Sequence, residues 1–179
     1  MPTQNRARPT STPVRRTKKK TSTRTLSHLD ERGRVRMVDV SLKPATVREA
    51  VARGFVKMAP ATLRLIGSGK IAKGDPLQAA RLAGIMAAKK TSEIIPLCHP
   101  LVISHCDVNL RRRRTGYEIE ARVQTVGPTG VEMEALTAVA AAALTVYDVV
   151  KAVDRAVVID DILLLEKRGG RSGVWKRGT

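Results

Sequence analysis

The segment from Gly130 through Glu132-Met133-Glu134, Leu144-Thr145-Val146-Tyr147-Asp148 and Lys151 to Asp154 constrains this chain more than any other. It reads as one long helix, apolar nearly all round. A helix apolar on every side is a buried helix. Yet this one carries Glu132, Glu134, Asp148 and Lys151, and buried charges are costly unless paired or used. The rest of the chain must pack around it, and its charges mark where chemistry is to be sought.

The remainder can supply such a core. Hydrophobic residues make up 42% of the 179 and aromatics only 2%, so the core is aliphatic. The length favours one domain with a tail. No apolar run of about 18 residues is free of polar interruption, which predicts no membrane span. No apolar region follows the N-terminal charges, which predicts no secretory signal. Cys98 and Cys106, with seven residues between them, have no metal or redox spacing. A cytoplasmic location is expected.

Net charge is +17, which raises nucleic acid as a partner. Residues 1–26 hold eight basic side chains and no acid, so +9 remains for the rest. The expectation is a disordered basic arm over 1–26 and a single domain over 27–179. A nucleic-acid-binding ferredoxin-like module is the alternative. Such modules stack bases on aromatic side chains, and Phe55, Tyr117, Tyr147 and Trp175 form no such cluster. That argues against nucleic acid.

Ordered sequence is expected from Ser27-His28-Leu29-Asp30. Met37 to Ser41 alternates weakly, as a strand would. Thr46 can cap a helix over Val47 to Arg53, ended by Gly54. Phe55 to Met58 reads as a short strand and Pro60 to Ile66 as a short helix. Asp75-Pro76-Leu77-Gln78 is a helix start, with Asp75 at N-cap, Pro76 at N1 and Gln78 placed for a capping box. That helix runs to about Lys90, and Gly84 allows close packing. Leu101 to Arg112 and Tyr117 to Val126 form a hairpin with Arg111 to Arg114 at its tip. Val158 to Glu166 is a last strand. Together they give an α+β sandwich, an antiparallel sheet with helices packed on one face.

Three blocks then stand out: Lys73-Gly74-Asp75, Ile95-Pro96-Leu97-Cys98-His99-Pro100-Leu101, and the long helix with Lys167-Arg168-Gly169-Gly170. In this order they closely resemble the cyclic pyranopterin monophosphate synthases, the MoaC family of molybdenum cofactor biosynthesis. The resemblance spans roughly Ser27 to Val174. It implies a ferredoxin-like fold and a homohexamer, a trimer of dimers with active sites at subunit interfaces. It also implies a lyase reaction, in which a 3′,8-cyclised dihydroguanosine triphosphate is rearranged to cyclic pyranopterin monophosphate and pyrophosphate is released. The family's active-site acid falls on Asp148 and its two important lysines on Lys73 and Lys151. Its substrate contacts fall on Leu97, Cys98, His99, Met133 and Glu134. Two departures from the family pattern are Val149-Val150, where Met-Cys is usual, and Arg171, where Lys is usual.

The residues fit that chemistry by their own properties. Asp148 and Lys151, three apart, share a helix face and could exchange a proton in a dry pocket, or form a structural ion pair. Lys73 precedes a helix N-terminus, a plausible phosphate seat. Lys167, Arg168 and Arg171 among glycines could clamp phosphates. Glu132 could serve a neighbouring chain or a salt bridge. Neighbours on an extended chain point apart, so Cys98 and His99 make a poor dyad; His99 suits hydrogen bonding or proton transfer, and Cys98 could serve packing alone. Glu134 and Asp148 lie about 21 Å apart along a helix, too far for one nucleotide to bridge, so the site is either one-ended or built from two chains. No zinc spacing exists. No cofactor is required, although Mg²⁺ could accompany the triphosphate.

Overall fold

The computed structural model describes residues 32–71 and 73–178. The basic arm and the Ser27 to Asp30 start lie outside the described residues. Five strands form one antiparallel sheet. They are β1 (Thr46–Lys57), β2 (Ile103–Arg113), β3 (Gly116–Gly127), β4 (Val158–Arg168) and β5 (Trp175–Lys176), in the order β2-β3-β1-β4-β5. The helices are α1 (Pro60–Gly67), α2 (Pro76–Lys89), α3 (Thr91–Ile94) and α4 (Glu132–Val150). The β1-α2-β2-β3-α4-β4 order, with β1 and β3 central, is the ferredoxin-like layout.

β1 corrects one expectation. Thr46 to Arg53 is a strand continuous with Phe55 to Lys57, not a helix. Ala50, Ala52, Gly54 and Val56 are buried at every second position, and full pairing with β3 from Thr46↔Gly127 to Lys57↔Gly116 overrides the helix preference of its Ala, Arg and Glu. Met37 to Val40 is not a strand either; it runs as irregular chain into a turn closed by Lys43 N–H to Val40 O.

α4 lies on the inner face of β1, β3 and β4, and α2 lies beside it on β2. Ala135, Ala138, Val139, Ala142, Ala143, Val146 and Val150 form the buried side of α4. Its outward side is open, with Leu144 60% exposed, so α4 is not enclosed all round in a single chain. By length and composition α4 could cross a bilayer; here it is the helix that fills the core. α2 approaches so closely that a Cβ on Gly84 would meet Ala138 O at 2.9 Å.

A local signal fixes the start of α2. Asp75 accepts from Leu77 N at 2.8 Å and Gln78 N at 3.4 Å. The Gln78 side chain does not return to close the capping box; its Oε1 accepts from Arg81 Nη1 at 2.6 Å. α1 is tied to the far end of α4 by Asp154, which is 9% exposed and accepts from Ala59 N at 3.0 Å and Thr62 Oγ1 at 2.8 Å.

The other sheet face is charged. Glu49 accepts from Arg122 at 2.7 Å and Gln124 at 2.6 Å, and Arg113 pairs with Glu118 at 2.6 Å. On β4 the pairing register slips opposite Arg53 to Phe55. Asp161 adopts φ 52° there, the only positive φ outside glycine among the described residues. This is a bulge on a strand that β5 covers only at Glu166 and Lys167.

Candidate active site

The candidate residues separate into two groups, one at each end of α4. At its N-terminal end a cavity of about 460 Å³ opens beside Leu97, Cys98, His99, Glu132, Met133 and Glu134. Val38, Val40 and Leu101 complete its apolar wall. The segment before β2 is a turn, with Cys98 N–H bonded to Ile95 O at 3.0 Å. Cys98 and His99 therefore both line the cavity, contrary to the expectation for an extended chain. Burial, reinforced by Glu134, pushes the Cys98 thiol up, which disfavours a thiolate and suits a packing role.

Glu134 is the buried carboxyl of this end, only 4% exposed. Burial raises its pKa, the backbone N–H at its own position partly opposes this, and Glu132 adds to it. Its neighbour Glu132 reaches Lys167 at 3.5 Å, and Lys167 also donates to Ser172 Oγ. Lys167 thus joins the start of α4 to the glycine-rich turn after β4.

A second cavity, about 880 Å³, adjoins the first and shares Lys43 and Thr129 with it. Arg48, Arg171, Gly170 and Ser172 line it. Arg48 is aimed by two carbonyls, donating through Nε to Gly127 O at 3.0 Å and through Nη2 to Pro128 O at 3.1 Å. Thr46 also lines this cavity, and its buried Oγ1 has no hydrogen-bond partner. Arg168, grouped by sequence with Lys167 and Arg171, turns away instead; it pairs with Glu166, and Glu49 lies at 3.8 Å.

Lys43 and Arg48 were not legible as site residues. Arg48 sat in a segment that reads as helix, which hid the face it shares with the cavity. Nothing in the sequence marks Lys43.

At the C-terminal end, Asp148 sits between two ammonium groups. Lys151 Nζ is 2.7 Å away and Lys73 Nζ 3.6 Å away. The hydrogen bond and charge of Lys151, then the charge of Lys73, hold the Asp148 carboxyl below its usual range. Asp148 in turn raises Lys151. The expected pair therefore forms, but not in a dry pocket: the three side chains are 56%, 59% and 52% exposed for Lys73, Asp148 and Lys151. Asp75 already occupies the first N–H groups of α2, so Lys73 meets a carboxylate rather than the helix end.

Among the described residues no three His, Cys, Asp or Glu side chains gather as a metal cage. Aromatic faces for base stacking are scarce as well. Tyr117 is 4% exposed, and Trp175 has Arg177 over its ring at 6.0 Å.

The MoaC family model matches residues 37–170. The cyclic pyranopterin monophosphate synthase of Thermomicrobium roseum is 64% identical over 154 residues, covering 85% of this chain and 93% of that protein. Those of Chloroflexus aggregans and Pelotomaculum thermopropionicum are 62% and 61% identical over the same length, covering 85% of this chain and 93% and 91% of themselves.

Proposed function

The chain belongs to the MoaC family, and from that premise we infer that it is a lyase of molybdenum cofactor biosynthesis that forms cyclic pyranopterin monophosphate. Its substrate in this reading is the 3′,8-cyclised dihydroguanosine triphosphate, and pyrophosphate is the second product. The observation that carries the reading is the junction of two unlike cavities at Lys43 and Thr129. One sets apolar side chains such as Leu97 and Met133 beside a buried carboxyl, as a purine-derived ring requires. The other is lined by Lys43, Arg48 and Arg171, as a phosphate chain requires.

Each group has a physical task. Rearranging the ring needs proton movement near neutral pH, and expelling pyrophosphate needs fixed positive charge. Glu134 and His99 face the ring. Arg48, Lys43, Arg171 and Lys167 hold the phosphates. Lys73, Asp148 and Lys151 supply the proton-transfer cluster, which needs a drier setting than a single chain gives it.

A second copy supplies that setting. About 21 Å of helix separates Glu134 from Asp148, so one chain cannot close both groups on one substrate. The outward faces of α2 and α4 expose Leu82 at 60%, Met86 at 51% and Leu144 at 60%, apolar surface suited to burial between subunits. In a dimer of the expected trimer of dimers, the Asp148 end of one copy would meet the Glu134 end of the next. The two cysteines with free thiols, Cys98 and Cys106, suit a reducing cytoplasm.

The test is turnover of the cyclised intermediate, followed as pyrophosphate release together with the pterin product. Both should appear with the wild-type protein and be lost in Lys73→Ala and Asp148→Asn. A folded, assembled wild-type protein that forms no product would sink the reading.

A further inference from the structure

Two glycines at the cavities occupy places where a charged side chain uses the room that a methyl would take. A Cβ on Gly130 would land on the Glu132 carboxylate, with Cδ at 2.7 Å. A Cβ on Gly170 would land on the Arg48 guanidinium, with Cζ at 2.7 Å. In both cases the obstructing atoms are the tips of flexible side chains rather than backbone. This differs from Gly84, where a Cβ meets the Ala138 carbonyl, and from Gly116, where it meets backbone of Val56. Gly84 and Gly116 are required for packing the fold. At Gly130 and Gly170 the fold can yield by moving a side chain, and what it then loses is the position of a charge.

We infer that Gly130 and Gly170 are positioning residues, each acting as the seat for a charged group of the site. Gly130 lets Glu132 fold back over the start of α4, where it meets Lys167 at 3.5 Å. Displacing that carboxylate releases Lys167, which also holds Ser172 of the glycine-rich turn. Gly170 lets the Arg48 guanidinium lie beneath the turn while it donates to Gly127 O and Pro128 O. A methyl there breaks the alignment of both bonds.

The two positions differ in one useful respect. Gly170 has φ +67°, which strains any other residue, whereas Gly130 is not among the glycines in that region. Gly130→Ala therefore perturbs only the seat. Gly170→Ala perturbs the seat and the backbone together, and the two parts separate by background.

The inference rests on the lyase reading, and the experiment keeps the two apart. The first arm compares wild type, Gly130→Ala, Glu132→Ala and the double variant in turnover of the cyclised intermediate. Gly130→Ala should melt like wild type and raise KM about tenfold with little change in kcat, yet add less than about twofold in the Glu132→Ala background. Once no carboxylate needs the seat, filling it is harmless. The second arm measures binding of inorganic pyrophosphate by calorimetry, which needs no turnover. Gly170→Ala should weaken it about tenfold alone and by less than about twofold in the Arg48→Ala background. The drop in melting temperature from the left-handed backbone should be the same in both backgrounds. Additive losses in either arm, an unfolded Gly130→Ala, or a wild-type protein that binds no pyrophosphate would overturn the inference. Absent turnover with intact, non-additive pyrophosphate binding would instead strike the lyase reading and leave the seat of Arg48 standing.

Discussion

The two ends of α4 hold carboxyl groups in opposite surroundings. Glu134, at the first turn, is 4% exposed, and burial raises its pKa. Asp148, at the last turn, has 59% of its side chain exposed and is held low by Lys151 and Lys73. One helix thus presents a carboxyl that takes up a proton readily and another that gives its proton up. Two carboxyls whose environments push their pKa values apart are suited to different roles. Fourteen residues of separation inside one chain make that division useful only if another chain brings the two ends together.

The sharpest way to break this comparison is at the exposed end. Asp148→Asn and Lys151→Ala should each lower product formation by about 10³-fold. Melting temperature should scarcely move, because exposed ion pairs contribute little to stability. Full turnover in either variant would remove that residue from the site.

At the buried end the effect on rate should be smaller and the effect on stability larger. Glu134→Gln is expected to lower kcat/KM by about 10²-fold and to melt higher than wild type at pH 7. The raised pKa means that the native state binds this proton more tightly than the unfolded chain does. That stabilisation is complete below the unfolded pKa of about 4.3 and is lost as pH rises through the native value. Glutamine suffers no such loss, so the gap should close as the pH is lowered. A variant less stable than wild type at pH 7 would show that Glu134 is paired rather than merely buried.

Mixing the two defects tests whether the ends meet between chains. With free subunit exchange, Asp148→Asn and Glu134→Gln proteins should together recover about a quarter of wild-type activity, since half the dimers are mixed and each has one intact site of two. No recovery, with exchange verified by a mass tag, would place both ends in one chain's site.

The smallest effect on turnover should come from Asp154, which serves the fold. Asp154→Ala should cost about 2 kcal/mol in urea unfolding at pH 7 through its lost hydrogen bonds to Ala59 and Thr62. These bonds hold the carboxyl below its usual range. Its stabilisation is therefore present above the unfolded pKa of about 3.9 and is lost as pH falls through the depressed native value. Turnover per folded molecule should be unchanged.

Much of this was legible from short-range signals. Asp75-Pro76 starts α2, and the apolar run of α4 identifies the core helix; the hairpin is as expected, but Arg114-Thr115 turns it, since Gly116 is already paired with Arg113. The errors share a cause. β1 carries helix-favouring Ala, Arg and Glu, and only its place between β3 and β4 makes it a strand. Arg48 was lost with it, since its role depends on carbonyls of Gly127 and Pro128, some eighty residues away. Likewise the burial of Glu134 and the exposure of Asp148 are set by where α4 lies on the sheet. The local sequence gives Asp148 its partner Lys151 but does not show that one carboxylate is buried and the other exposed.

The bulge on β4 guards an open edge of the sheet. Val158-Ile159 and Ile162 to Leu165 would otherwise make one long apolar strand with most of its outer side uncovered, the pattern that recruits further strands into a growing sheet. Asp160 and Asp161 interrupt it with two negative charges and a left-handed residue. An incoming strand cannot stay in register across that break, and its own Asp160 and Asp161 would repel the pair it met. The sheet is thereby discouraged from growing without limit at this edge.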